Sequence, residues 1–183
     1  MELFFNDIEN ILSNITYKYI NKNINRSNVS GIACLKQWGR DKELGIHRKI
    51  GVPCDSTIFG LVRELFTKKG KYIQSRQNKK YPELYQSILE IGLYILPEDF
   101  EFNQICLNKN VKCLPHFDGR NVGESWIVSF GDFTGGELQI YDEHDNIELI
   151  DIKYNPYCFN GAKVKHGTND FVGTRYSIIF YKY

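Results

Sequence analysis

Apolar residues recur at helical spacing in the first hundred residues and at strand spacing after them. Over 3–20, Leu3, Phe4, Ile8, Ile11, Leu12, Ile15 and Ile20 predict one face of an amphipathic helix. The Asn-rich run 21–30 breaks it, and Gly31–Leu35 reads as a short strand before a charged loop, 39–49. Pro53 and Asp55-Ser56 then predict a second helix, with Ser56 as N-cap, Leu61, Leu65 and Phe66 as its buried stripe and Gly70 as its stop. A third helix is expected from Pro82 to Tyr94, with Pro in its first turn and Leu84, Tyr85, Ile88, Leu89 and Ile91 on its apolar face. From Phe100 the period falls to two, punctuated by Gly and Asn. The expected strands are 104–108, 113–117, 125–130, 137–141, 147–150, 156–159 and 175–181. Helices first and about seven strands second predict an α+β chain, a β-barrel or jelly-roll core buttressed by N-terminal helices. Residues 1–183 read as one domain, 1–99 the buttress and 100–183 the β-core.

Composition changes this picture little. Hydrophobic residues make up 42% and charged residues 25%, as in an ordinary globular protein rather than a disordered or collagen-like one. No apolar run reaches the ~18 residues that span a bilayer, and the acidic N-terminus lacks the positive charge of a signal peptide. An intracellular protein, cytoplasmic or nuclear and not secreted, is expected. Cys34, Cys54, Cys106, Cys113 and Cys158 contain no Cys-x-x-Cys pair, which speaks against a zinc ribbon or a disulfide framework. Net charge is +1 but unevenly spread. Residues 62–80 hold seven basic groups and one acid, whereas 97–160 hold four basic groups and twelve acids. The first stretch is either a solvated loop or a patch able to track phosphates.

Two of the four histidines stand in a chemical setting. His116-Phe117-Asp118 places an imidazole and a carboxylate two residues apart, on one face of an expected strand. His166 comes 48 residues after Asp118. Two imidazoles and one carboxylate on one face of an octahedral ion form the facial triad of non-haem Fe(II) oxygenases. Short His and Asp pairs also arise by chance, so the residues after His166 carry weight. Arg175 and Ser177 share a strand face, and a guanidinium with a hydroxyl suits the distal carboxylate of a dicarboxylic co-substrate. His47 and His144 lie in charged segments and read as surface residues.

The ordered set His-x-Asp, His, Arg-x-Ser resembles the 2-oxoglutarate- and Fe(II)-dependent dioxygenases over residues 100–183. The resemblance implies a double-stranded β-helix, with His116, Asp118 and His166 on Fe(II) and Arg175, assisted by Ser177, on 2-oxoglutarate. It also implies O₂ as oxidant. Asn108 or Asn110 is a candidate for reaching the co-substrate from a neighbouring strand. Arg120, Asn121 and Ser125, directly after the metal-binding strand, are candidates for lining the substrate mouth. A narrower likeness rests on Leu107-Asn108-Lys109-Asn110, on Pro115 to Asn121, and on Gly131-Asp132-Phe133-Thr134-Gly135-Gly136-Glu137-Leu138, read as a hairpin with Gly135-Gly136 at its turn. These runs look like the TET/JBP-related nucleobase dioxygenases, which implies a nucleic-acid partner and oxidation of the methyl of 5-methylcytosine or thymine. The Gly-rich run is also similar to prolyl-type protein hydroxylases, so a protein substrate stays open, as does a binding module with a vestigial metal site.

Overall fold

The computed structural model describes residues 5, 8, 9, 11, 12, 26–28, 39, 40, 47, 48, 55–64 and 71–183. Residues 5, 8, 9, 11 and 12 are helical, and three short strands follow, β1 (Arg26–Asn28), β2 (Gly39–Arg40) and β3 (His47–Arg48). They are followed by β4 (Asp55–Arg63), β5 (Tyr72–Gln74), α1 (Arg76–Lys80) and α2 (Pro82–Ile95). The rest is β-structure: β6 (Gln104–Lys109), β7 (Val111–Cys113), β8 (Ser125–Phe130), β9 (Phe133–Gly135), β10 (Leu138–Tyr141) and β11 (Ile147–Ile150). The chain ends with β12 (Tyr157–Phe159), β13 (Lys165–Thr168), β14 (Phe171–Gly173) and β15 (Tyr176–Tyr181).

Six strands make the larger sheet, in the order β12-β8-β15-β6-β4-β5, and β11-β10-β13 make a smaller one. The named pairings within both are antiparallel. Successive side chains of a strand point to opposite faces, and each face of the larger sheet has its own core. One face sends Phe59, Ile105, Leu107, Val128, Phe130, Tyr176, Ile178 and Phe180 against Leu84, Ile88 and Ile91 of α2, with Phe5, Ile8 and Leu12 in the same cluster. The other sends Ile127, Phe159 and Ile179 against Leu138, Ile140 and Ile150 of the smaller sheet. Two facing antiparallel sheets with an apolar filling are a jelly-roll arrangement. The inner face also carries a polar row, because the register aligns Ser56, Asn108, Ser177 and Ser129 across four strands. All four are buried.

Helix α2 forms where the sequence predicts it. Pro82 occupies its first turn, and Leu84, Ile88 and Ile91 recur at helical spacing to meet the sheet. It stops at Leu96, which turns extended before Pro97.

The helix expected from Ser56 is instead strand β4. Thr57, Ile58, Phe59 and Val62 are β-branched or aromatic and favour a pleated, half-buried surface. Ser56 is not a cap but faces Asn108 inside the sheet. Gly60 sits at φ +85°, outside helical space, and a Cβ there would lie 2.4 Å from the Asn103 carbonyl oxygen. The Gly60 N–H donates to Asn78 Oδ1 at 2.9 Å and Asn78 Nδ2 donates back to Gly60 O at 3.2 Å. Ser75 Oγ donates to Ile58 O at 2.7 Å. Two buried polar side chains thus fasten β5 and α1 to the edge of the sheet.

In the β-half, the strand expected over 113–117 breaks after Cys113, where Pro115 supplies no ladder donor. Strands β9 and β10 do not form the expected hairpin: β9 pairs with β14, and β10 with β11 and β13. Gly135 and Gly136 do adopt the left-handed φ that the turn reading required. Most of the helix expected over 3–20, the strand over 31–35, and Leu65, Phe66, Lys68, Lys69 and Gly70 lie outside the described residues. No helix among the described residues is long and apolar enough to cross a membrane.

The two-sided sheet makes α2 a test of packing. Ile88→Ala removes a fully buried side chain and should cost about 2–5 kcal/mol in denaturant unfolding. Leu93→Ala, on the same helix but 86% exposed, should stay within about 0.5 kcal/mol of wild type.

Candidate active site

His166 is placed by β13, whose partner β10 sets Ile140 opposite it. His116 lies beyond the end of β7 and joins the sheet by one antiparallel bridge. In that bridge the His116 N–H donates to His166 O at 2.9 Å and the His166 N–H donates to His116 O at 3.0 Å. The two imidazoles therefore emerge side by side, with ring centroids 4.4 Å apart. Asp118 is on no strand. Its N–H donates to Gly161 O at 2.8 Å, and its own carbonyl accepts from Asn121 N at 2.8 Å, so a turn rather than a pleat aims the carboxylate.

The result is a compact cluster. His116 Nε2 lies 3.5 Å from Asp118 Oδ1, and His166 Nε2 lies 3.6 Å from Asp118 Oδ2. All three ligand atoms fall within 4.8 Å of one another. Each imidazole has its Nδ1 against a backbone carbonyl, Leu114 O at 2.7 Å and Val164 O at 2.9 Å. A carbonyl only accepts, so Nδ1 carries the proton and Nε2 presents its lone pair to the cluster. Phe159 packs edge-on against the His166 ring, centroids 4.8 Å apart, and fixes its plane. Two imidazole lone pairs and a carboxylate facing one point make a donor set that a divalent cation satisfies, with backbone carbonyls as orienting partners. Burial raises the Asp118 carboxyl, whereas protons placed on Nε2 of His116 and His166 would lower it by hydrogen bond and charge, and with them in place it lies well below the ordinary carboxylate range.

The cluster opens onto a small cleft that is continuous with solvent. Arg175, Ser177 and Asn108 line it together with the three ligands. Asn108 Nδ2 donates to Ser177 Oγ at 3.3 Å, within the polar row of the larger sheet. Arg175 is only 3% exposed. Its Nε–H donates to Gly136 O at 3.2 Å, and its Cζ lies 5.6 Å from the ring centres of both Phe133 and Phe171. No carboxylate among the described residues forms an ion pair with it. Burial pushes its pKa down to about 10, while the Cys113 thiol and Glu137 act in the other direction. It remains a cation at neutral pH, and a buried cation with no fixed anion is costly unless a ligand supplies one.

Not every sequence candidate reaches the cavity. Arg120, Asn121 and Ser125 are absent from its lining. Arg120 Nη1 donates to Tyr183 Oη at 2.9 Å, Asn121 Nδ2 donates to Ser125 Oγ at 3.4 Å, and Ser125 is buried. The turn at Asp118 carries these residues away, and they tie its loop to the end of β15, where Val122 N also donates to Lys182 O at 2.8 Å. Asn110 does not line the cavity either; it holds the backbone of Arg175. Cys113, Thr168, Phe133 and Phe171 were not foreseen around the site. They arrive through pairings of β7, β13, β9 and β14 that leave no local pattern.

No family model matches the sequence, and no curated protein matches it. Several solved structures are similar to it in part, all at TM-scores below 0.5. One is an oxidoreductase of the 2OG-Fe(II) oxygenase family from Burkholderia pseudomallei, 12% identical over 69% of this chain and 67% of that one, TM-score 0.49. Another is NgTET1 in complex with 5mC DNA, 13% identical over 70% and 60%, TM-score 0.46. A third is a prolyl hydroxylase from Trichoplax adhaerens in complex with a hypoxia inducible factor peptide, 8% identical over 98% and 76%, TM-score 0.49. Likeness at these TM-scores carries no argument, and the chemistry rests on the residues of this chain.

If the three ligands form one site, Asp118→Ala should abolish saturable binding of one Fe(II) or Mn(II) per chain in an anaerobic titration. The far-UV circular dichroism of the variant should stay that of wild type, since the backbone contacts of residue 118 need no side chain.

Proposed function

We propose that this protein is an Fe(II)- and 2-oxoglutarate-dependent dioxygenase that hydroxylates a C–H bond. One observation carries the proposal: a cation-seeking cluster and an unpaired buried guanidinium share one cavity. His116, Asp118 and His166 would hold Fe(II) through three sites and leave the others for co-substrate and O₂. The bound metal supplies O₂ activation coupled to decarboxylation of 2-oxoglutarate to succinate and CO₂, with one oxygen atom passing to the substrate as hydroxyl. The chain's own residues bind and orient. Arg175 offers its donors to the distal carboxylate, and Ser177 and Asn108 supply the polar wall beside it. Ile127, Leu138, Phe159 and Ile179 line the remainder and limit the access of water.

For the substrate, our reading is the methyl of 5-methylcytosine or thymine in nucleic acid. Arg63, Lys71, Arg76, Lys79 and Lys80 support it: all are exposed, and none is in an ion pair with another described residue. Ser75 and Asn78 anchor the segment that displays the last three. Cations fixed this way suit a phosphate backbone, and a flipped base would bring its methyl to the metal. Phe117, 56% exposed between two ligand residues, favours a second reading, with Leu114 and Val122 also exposed nearby. Such an apolar surface suits a peptide, and the enzyme would then be a prolyl- or lysyl-type protein hydroxylase.

Succinate release separates these readings. The Fe(II)-loaded protein should form succinate from 2-oxoglutarate, faster with 5-methylcytosine or thymine DNA or the matching RNA, and His116→Ala should form none. Succinate without nucleic-acid stimulation would move the substrate to protein, and none from folded, iron-bound protein would overturn the enzyme. Arg175→Ala should raise the 2-oxoglutarate requirement by roughly a hundredfold, the scale of a lost charged hydrogen-bond pair.

Replacing Arg76, Lys79 and Lys80 together by Glu should weaken nucleic-acid binding. It should also reduce the slope of log affinity against log salt by about 2–3, as expected for three lost phosphate contacts. An unchanged slope would leave these cations as a solvated face.

A further inference from the structure

We infer that Asn110 and Gly136 are positioning residues that fix Arg175 for end-on capture of a carboxylate, an inference that rests on Arg175 being the co-substrate anchor. Arg175 precedes β15, whose register with β6 begins at Tyr176 opposite Lys109. The strand ladder therefore does not hold it. Asn110 does, from both sides of the residue. The Asn110 N–H donates to Arg175 O at 2.8 Å, and Asn110 Oδ1 accepts from Arg175 N at 2.8 Å. Asn110 stands between β6 and β7 at φ 52°, a left-handed position that Asn tolerates better than most residues. Glycine would make the same turn with less strain but would offer no acceptor. The side-chain amide is thus what this position adds beyond the bend.

Gly136 acts on the other end of the residue. Its carbonyl occupies the Arg175 Nε–H. A Cβ at this glycine would lie 2.8 Å from Nε and 2.9 Å from Cδ, so only glycine lets the side chain pass. Phe133 and Phe171, brought together by the β9–β14 pairing with ring centroids 6.4 Å apart, lie side by side against the guanidinium. With Nε–H engaged, the Nη1 and Nη2 donors remain as the fork that matches two carboxylate oxygens. Three separate stretches of chain, around 110, 136 and 175, therefore set one guanidinium.

Calorimetric titration of 2-oxoglutarate into anaerobic Fe(II)-loaded protein tests this without turnover. The variants are Asn110→Gly, Asn110→Asp and Gly136→Ala, with Arg175→Ala as reference. The Arg175 Nε–Hε resonance of ¹⁵N-arginine-labelled protein reports the placement independently. Asn110→Gly keeps the turn and should weaken 2-oxoglutarate binding about tenfold, raise KM in step and leave kcat within about twofold. Asn110→Asp restores an acceptor and should recover most of the loss. Gly136→Ala should weaken binding at least as much and shift the Nε–Hε resonance. Wild-type binding by Asn110→Gly, or an Asp variant no better than the Gly variant, would overturn the inference. If Arg175→Ala weakens binding while Asn110→Gly does not, the anchor stands and only the positioning role falls. If Arg175→Ala itself binds as wild type, the anchor falls and takes the positioning role with it.

Discussion

The strand period of two is the constraint on which the rest of this structure depends. The larger sheet is buried on both faces, so every residue of its central strands must serve one of two unlike surroundings. Along β15, Tyr176, Ile178 and Phe180 face the helix, while Ser177 and Ile179 face the cavity, in line with Arg175 just before the strand. The same division separates Ile105 and Leu107 from Cys106 and Asn108 on β6. An apolar helix-side core stabilises the sheet, and this lets the opposite face carry buried polar groups that would otherwise weaken it. A one-residue slip of β15 would exchange the two faces outright. Strand register and the integrity of the site are therefore one property.

How much of this was legible in the sequence depended on whether the cause was local. Helix α2 was, because Pro82 and the spacing of Leu84, Ile88 and Ile91 act within one element. The grouping of His116, Asp118 and His166 was, because few other side-chain sets combine two imidazoles and a carboxylate with a later Arg-x-Ser. Strand β4 was not. Ser56 looks like a cap and Leu61 and Leu65 are four apart, but Asn103 and Asn78 engage Gly60 and its flanks from distant parts of the chain. Sequence proximity misled at Arg120, Asn121 and Ser125, which come soon after Asp118 yet turn away from the cavity. The surroundings of Arg175 were the least legible, since Asn110, Phe133, Gly136 and Phe171 meet only through tertiary pairing.

The two ends of the cavity solve opposite electrostatic problems. At one end, three acceptor groups face one another with no donor between them. At the other, a cation sits behind two aromatic rings with no anion among the described residues opposite. Each arrangement is unfavourable in isolation within a low-dielectric interior. One metal ion and one dicarboxylate would relieve both, and the polar row of Asn108 and Ser177 bridges the space between.

The single backbone bridge between His116 and His166 has a consequence for how the ligands come together. It closes a loop of about 50 residues, and the entropy of that closure would otherwise fall on the binding event. Here paired peptide hydrogen bonds meet that cost during folding. An ion arriving there would find two imidazole nitrogens already adjacent. The affinity for such an ion would reflect ligand chemistry rather than chain collapse, and the β-core would stand without it.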